Sequence, residues 1–393
     1  MWHKKKHQKN KKYFQAIAVM VGYIVGVGMF GLPYLTVRAG WLVFVVLLVV
    51  LGLAQYFLQL IYANIIVTNG SFHRLPGYVE KYLGLKGKWA VFPAKLIGNY
   101  GALLAYIIIS SIFLRQLLGR FLGENLILYA SIIVALAAIV VFRGIRAISK
   151  VELYMSALLF FVIGVMVYKG WETIEAENYL VIDWKNILLP FGAMLMALDG
   201  NGSLPIVGRL VKKDVVLFKS VIRTSMILSS LILTLFVFVI VGISGANTTP
   251  DALVGVQKIL ANGVITLVLI FGLFSIMTSI IGVAESIKET LWWDFKVNKT
   301  LAWALAVFVP YILYLAGITD LIGVISFIGA VGGGFCAIIM LSVFLKIQSA
   351  PWVKKKKNKM PMFKYKPPNA LVYLLMVLFA IGMIYEIVNF NLI

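Results

Sequence analysis

The chain has 393 residues and a formal net charge of +21, with 36 Lys and Arg against 15 Asp and Glu. A hydrophobic share of 62% and a mean hydropathy of +0.97 lie far above the globular norm. Repeated apolar runs of about 18 residues or more mark a polytopic membrane protein and exclude an ordinary water-soluble domain. The single cysteine, Cys336, lies in an apolar segment, which rules out an internal disulfide and reads as small-residue packing.

The N-terminus, Trp2 to Lys12, is strongly basic, and the apolar stretch behind it is too long for a signal peptide and lacks a small-residue cleavage site. It is read as a retained first span. Apolar runs predict spans near 13–38, 41–67, 89–119, 126–142, 150–168, 186–208, 218–244, 259–287, 300–316, 321–345 and 370–391, about eleven helices, with one amphipathic piece around Leu75–Leu85. Cations collect on alternate connections: six in 1–12, five from Arg74 to Lys95, three from Arg143 to Lys150, five from Arg209 to Arg223, three from Lys288 to Lys299 and eight from Lys346 to Lys366. These are 30 of the 36, and the positive-inside rule then sets a cytoplasmic N-terminus and an outside C-terminus. The surplus charge is thus a matter of topology, and no nucleic-acid partner is expected. The longest outer connection, about 169–185, carries Glu172, Glu175, Glu177 and Asp183. The division that follows is a basic cytoplasmic stretch 1–12, a first five-helix unit 13–168, a second 186–345, a basic cytoplasmic loop 346–369 and an extra helix 370–391. Lys354 to Lys357 in that loop face either anionic lipid or water.

Two of these segments are interrupted. The first contains Gly22, Gly26, Gly28, Gly31 and Pro33, and the sixth contains Asp199, Gly200, Gly202 and Pro205. Each Gly weakens a helix by about 1 kcal/mol and Pro by about 3. In hydrocarbon, freed backbone groups are tolerated only where protein buries them or they line a cavity. Close helix packing through small residues is the alternative reading. The two stretches align as Gly28-x-x-x-Leu32-Pro33 against Gly200-x-x-x-Leu204-Pro205. With five spans per half they are related by inverted topology, and paired interrupted helices of this kind point to a secondary transporter's binding site.

Gly26-Val-Gly28-Met-Phe-Gly31-Leu-Pro33-Tyr34 followed by Gly40-Trp41 resembles the first-helix signature of amino acid permeases in the amino acid–polyamine–organocation superfamily. The likeness is greatest to the aromatic and hydroxy amino acid permeases and the related amino acid transporter family. Phe191-Gly192-x-x-x-x-x-Leu198-Asp-Gly-x-x-Ser203-Leu-Pro205 resembles their sixth helix, and Met277 to Ala284 their eighth; the resemblance covers roughly 13–345. It implies an all-α, LeuT-type fold with a 5+5 inverted repeat and discontinuous helices 1 and 6. It also implies a small-molecule amino acid substrate between those helices, with membrane lipid around the protein and no cofactor. Amides near Gly26, Val27, Gly28 and Met29 would meet the substrate carboxylate, where a half-helix N-terminus offers free N–H groups. Carbonyls near Tyr23 and from Ala197 to Gly200 would meet the ammonium. Asn99, Tyr100, Leu103, Met196 and Phe327 are candidates for shaping the side-chain space.

Asp199 is an intramembrane carboxylate and therefore a functional candidate. It is expected to carry a proton, pair with the ammonium, help bind a cation, or simply cap the turn through Gly200–Ser203. Glu285 lies two turns past Thr278 and is a second acidic candidate, or a partner of an inner-loop lysine. Thr278 and Ser279, with the carbonyls of Gly22 and Val25, correspond to the Na⁺ ligands of sodium-coupled relatives of the fold; H⁺ is the preferred coupling ion and Na⁺ the alternative. The expected function is cation-coupled uptake of aromatic or other large neutral amino acids across the plasma (inner) membrane. A membrane sensor that binds an amino acid without moving it is the rival. An enzyme is not expected, since the chain has no HExxH or GxSxG, and His3, His7 and His73 all fall in polar segments.

Overall fold

The computed structural model of the chain describes residues 2–69, 73–143, 158, 161–253, 256, 262–349, 362–363 and 367–390. Its helices are α1 (Trp2–Ile24), α2 (Gly28–Ala39), α3 (Trp41–Thr68), α4 (Leu75–Leu122), α5 (Leu126–Arg143), α6 (161–170), α7 (Phe191–Ala197), α8 (Leu204–Leu210), α9 (Val215–Ser244), α10 (Asn262–Glu289), α11 (Lys299–Leu315), α12 (Leu321–Phe327), α13 (Gly334–Ser349) and α14 (Asn369–Asn389). Among the described residues there is no β-strand; one isolated bridge joins Gly40 to Ile182.

Among the described residues seven helical stretches are long and apolar enough to cross a membrane, and α1 with α2, bent by 51° at their junction, would make an eighth. The chain is a multi-pass membrane protein. Its lipid-facing stripes are visible in α3, where Leu42, Val46, Val49 and Leu53 are exposed, and in α14, where Leu374, Val377, Ile381 and Ile384 are. Apolar residues at helical spacing left bare on the outside are what hydrocarbon solvates.

Several boundaries differ from the hydropathy reading. Helix α1 starts at Trp2, so the basic stretch is helical over 2–12 and continuous with the span behind it. The amphipathic piece at Leu75 runs into the following span, with the chain direction changing at Gly84, whose φ of +71° is open to glycine without strain. The tenth span holds a π-helical turn at Ile328–Gly333, and α10 ends in another at Thr290–Asp294. Neither turn was expected. The predicted span 150–168 lies mostly outside the described residues, as does most of the loop 346–369; α13 itself extends to Ser349.

Packing brings the two broken helices to the centre. Helices α1 and α2 lie on α9, α10 lies on α4, and α7 lies on α2 and on the π-turn between α12 and α13. Gly192 of α7 and Gly329 of the π-turn touch through backbone, with no room for a Cβ at either. Helix ends are capped by side chains: Asp214 accepts from the Leu217 amide at 3.0 Å, Asn298 from Thr300 at 2.8 Å, and Asp320 from Ile322 and Gly323 at 3.1 and 3.0 Å.

Candidate functional site

At the first break the α-helical ladder fails over one turn. The Val25 amide still reaches the Val21 carbonyl at 2.8 Å, but the Gly26 amide turns to Ile24 at 2.9 Å, Met29 to Gly26 at 3.3 Å and Phe30 to Val27 at 3.1 Å. The amides that an unbroken helix would direct at the carbonyls of Gly22 and Val25 are thereby turned elsewhere. A phenol stands at the gap: the Tyr106 hydroxyl lies close to the Val27 backbone and the Ser279 side chain. A Cβ at Gly26 would sit 2.5 Å from that hydroxyl.

The second break is held by side chains. Asp199 Oδ1 accepts from the Asn201 amide at 2.9 Å and from its Nδ2 at 2.7 Å, which fixes the 3₁₀ turn Asn201–Ser203. The same Asn201 Nδ2 reaches Gln55 Oε1 at 3.5 Å, and Gln59 Nε2 donates to the Leu198 carbonyl at 3.3 Å. Arg74, only 4% exposed, donates from Nη1 to the Gly202 carbonyl at 2.9 Å and from Nη2 and Nε to Glu289 Oε2 at 2.6 and 2.9 Å. It ties the second break to the end of α10. The two breaks also meet directly, since a Cβ on Gly28 would come within 2.9 Å of the Ala197 N and Cα.

Between them lies a polar cavity, part of it continuous with solvent. Its polar wall comprises Tyr23, Gln55, Arg74, Lys95, Asn99, Tyr106, Asp199, Asn201 and Ser286, and apolar and small residues complete it. It extends toward the basic end of the bundle, where Arg74, Lys95, Cys336 and Met340 line it. The opposite end is sealed. The Phe30 ring meets Phe113 and Phe236 edge-on at 5.1 and 5.5 Å, and the connection 171–189 folds over the top. There the Glu175 amide bonds the Gly242 carbonyl at 3.0 Å, the Asp183 amide bonds Ala39 at 3.1 Å, and Tyr179 stacks on Phe238. Burial pushes the Tyr179 phenol up to about 12, so it stays a neutral donor to the Phe238 carbonyl at 2.8 Å.

Of the candidates named from sequence, the cavity wall gathers Tyr23, Gly26, Val27, Gly28, Asn99, Met196 and Asp199. Ala197 and Gly200 lie just behind it, the first against Gly28 and the second against Gln59 and Ile24. Met29 and Val25 are buried in the core beside the first break. Thr278 and Ser279 both turn their hydroxyls to the Ser275 carbonyl, at 2.8 and 3.1 Å, on a helix that packs against α1. Tyr100 is half-buried away from the wall, Leu103 faces α5 and α11, and Phe327 packs on Phe390 at 4.7 Å. Glu285 pairs with Lys288 one turn on, and Lys288 also donates to the Val141 carbonyl at 3.1 Å. Sequence reasoning passed over Gln55, Gln59, Arg74, Lys95, Tyr106 and Ser286. Gln55 and Gln59 were visible as polar residues one turn apart in an apolar run, whereas Arg74 and Lys95 had been read only as topogenic charge. Among the described residues no group of three or more His, Cys, Asp or Glu is arranged to hold a metal ion.

The model of the tryptophan/tyrosine permease family matches residues 9–386. A rat (Rattus norvegicus) protein named "Putative sodium-coupled neutral amino acid transporter 11" is 24% identical over 248 residues, 58% of this chain and 54% of the relative. The mouse (Mus musculus) protein of the same name is 23% identical over the same shares. The chain therefore spans about half the length of the curated relatives it matches. The family match extends over nearly the whole chain, through both breaks and the cavity between them, and the chain belongs to the tryptophan/tyrosine permease family.

Proposed function

We propose that the protein is a secondary active transporter of aromatic or other large neutral amino acids, working by alternating access and coupled to H⁺ or Na⁺. The reading takes eleven spans arranged as a 5+5 inverted repeat plus an extra helix, with the N-terminus and the basic end of the bundle in the cytoplasm of a plasma-membrane protein. One observation carries it: two interrupted helices meet at Gly28 and Ala197 beside a polar cavity that is sealed at one end and continuous with solvent elsewhere.

The amides at Val27 and Gly28 stand at the N-terminus of α2, where free N–H groups and the helix dipole favour a carboxylate. Asp199 borders the cavity with Oδ1 committed to Asn201, and among the described residues no protein group bonds Oδ2. That oxygen is suited to a substrate ammonium or a proton. The carbonyls of Gly22 and Val25, with the hydroxyl oxygens of Thr278 and Ser279, are hard donors of the type Na⁺ takes, and the sodium-coupled name of the relatives supports that ion. Opening at the sealed end requires the Phe30, Phe113 and Phe236 contacts to part. A ligand drives this opening only through unequal affinity for the two states.

The test is uptake of labelled tryptophan, tyrosine and leucine into proteoliposomes, with an inward H⁺ or an inward Na⁺ gradient imposed separately. Accumulation above equilibrium under one gradient supports the reading and names the ion. Saturable binding without accumulation under either gradient contradicts it and leaves an amino acid sensor as the better account.

A further inference from the structure

Among the described residues three polar atoms on the cavity wall are buried without a partner: Oδ1 of Asn201, whose side chain is already held through Nδ2, and, on side chains with no such hold, Nδ2 of Asn99, 5% exposed, and Oγ of Ser286, 1% exposed. A buried polar atom without a partner is costly unless a ligand or water completes it. Ser286 also departs from the habit of its own helix. Thr278 and Ser279 donate to the Ser275 carbonyl and Thr290 to the Ser286 carbonyl, as helical hydroxyls commonly do, while Ser286 makes no such bond.

The register of α4 against α10 brings the two groups to one level. Phe113 lies against Gly272, where a Cβ would come within 2.8 Å of its ring, and Tyr106 meets Ser279 seven residues along each helix. A further seven residues back along α4 and on along α10 stand Asn99 and Ser286. Two turns, roughly 10 Å, therefore separate this pair from Tyr106 and the amides of the first break. Ala94, Gly98, Ala102 and Gly332 are small and leave room on this wall for a planar group, with Lys95 one turn before Asn99 as its charged neighbour toward the basic end.

We propose that Asn99 and Ser286 form a ring-end subsite, hydrogen-bonding the polar atom on the ring of an aromatic amino acid. That atom is the phenol hydroxyl of tyrosine or the indole N–H of tryptophan, and the pair selects both over phenylalanine. The inference rests on the transport reading above: the α-amino and α-carboxylate groups lie at the two breaks, and the ring runs along the small-residue wall toward the basic end. A phenol oxygen can accept from Asn99 Nδ2 while its hydrogen goes to Ser286 Oγ, whereas an indole N–H only donates and is met by Ser286 Oγ or the Asn99 carboxamide oxygen as acceptor. A site built to bond a substrate OH or NH rejects the analogue lacking it more strongly than an apolar pocket can discriminate by size.

The experiment is equilibrium displacement of labelled tyrosine, and separately of labelled leucine, from the purified full-length protein by unlabelled tyrosine, tryptophan, phenylalanine and leucine. Wild type, Asn99→Leu and Ser286→Ala are compared. The subsite predicts that phenylalanine binds wild type at least about tenfold more weakly than tyrosine or tryptophan. It also predicts that the tyrosine-to-phenylalanine preference falls about tenfold in each variant. Equal wild-type affinity for tyrosine and phenylalanine, a preference for leucine, or an unchanged ratio in either variant overturns the subsite and leaves the transport reading standing. Saturable binding of none of the four removes both. The wild-type ratio needs no variant, so a variant that fails to fold does not shield the proposal.

Discussion

The break between α1 and α2 is made of backbone and a single phenol, whereas the one between α7 and α8 is held by Gln55, Gln59, Arg74, Asp199 and Asn201 from three parts of the chain. Glycine explains the first. Without Cβ atoms, Gly26 and Gly28 let Tyr106 and Ala197 press against the main chain. The second break contains a carboxylate and its neighbours need fixed dipoles to hold the turn, so its geometry depends on partners distant in sequence. The first break should therefore be sensitive to added volume, and the second to lost polarity.

The largest effect is expected where the second break depends on a buried charge. Arg74→Met leaves Glu289 unpaired and the Gly202 carbonyl unbonded, and should cost about 3–5 kcal/mol of stability, read as a fall in the thermal midpoint of the purified protein. The double variant Arg74→Met/Glu289→Met should recover part of that loss. An unchanged midpoint in the single variant would place the stability of the second break elsewhere. Gly28→Val comes next. Its side chain must displace the Ala197 backbone, at a cost of about 1–3 kcal/mol of stability, smaller than for Arg74→Met, while initial uptake should drop about a hundredfold. Uptake near wild type would show that the two breaks need not touch.

These contrasts bear on what could be read from the chain. The alignment of Gly28-x-x-x-Leu32-Pro33 with Gly200-x-x-x-Leu204-Pro205 located both interruptions, because glycine and proline act locally on the helix that contains them. Asp199 was legible as a carboxylate in an apolar run, and its capping of Asn201 was one of the roles weighed. Arg74, Tyr106 and Ser286 were not legible as site residues. Hydropathy gives depth along a helix but not the direction a side chain faces, and each of these acts across a helix interface. Arg74 was counted for its charge, yet it is buried and bonds a carbonyl 128 residues away. The π-turn at Ile328–Gly333 was missed because its glycines lie within a span that otherwise reads as continuous.

Two smaller effects sharpen the comparison. Asp199→Asn keeps an oxygen acceptor for Asn201 while removing the charge, so the fold should persist and uptake should fall about tenfold to a hundredfold through the lost charge-assisted contact. A matching loss in thermal midpoint would instead assign Asp199 a structural role alone. Asp320→Ala removes the cap of α12 away from both breaks. It should cost about 1 kcal/mol of stability and leave the KM for tryptophan unchanged.

The most direct test of the account uses the one cysteine the chain possesses. Cys336 is on the cavity wall, so an amino acid held between the breaks should shield it. The measurement is the rate of maleimide alkylation of Cys336 in the otherwise native protein, followed by mass spectrometry, with and without saturating tyrosine or tryptophan. The account predicts saturable slowing by either amino acid and none in Gly28→Val. An alkylation rate indifferent to both amino acids in the wild type, under conditions where they bind, would contradict the assignment of the substrate to this cavity.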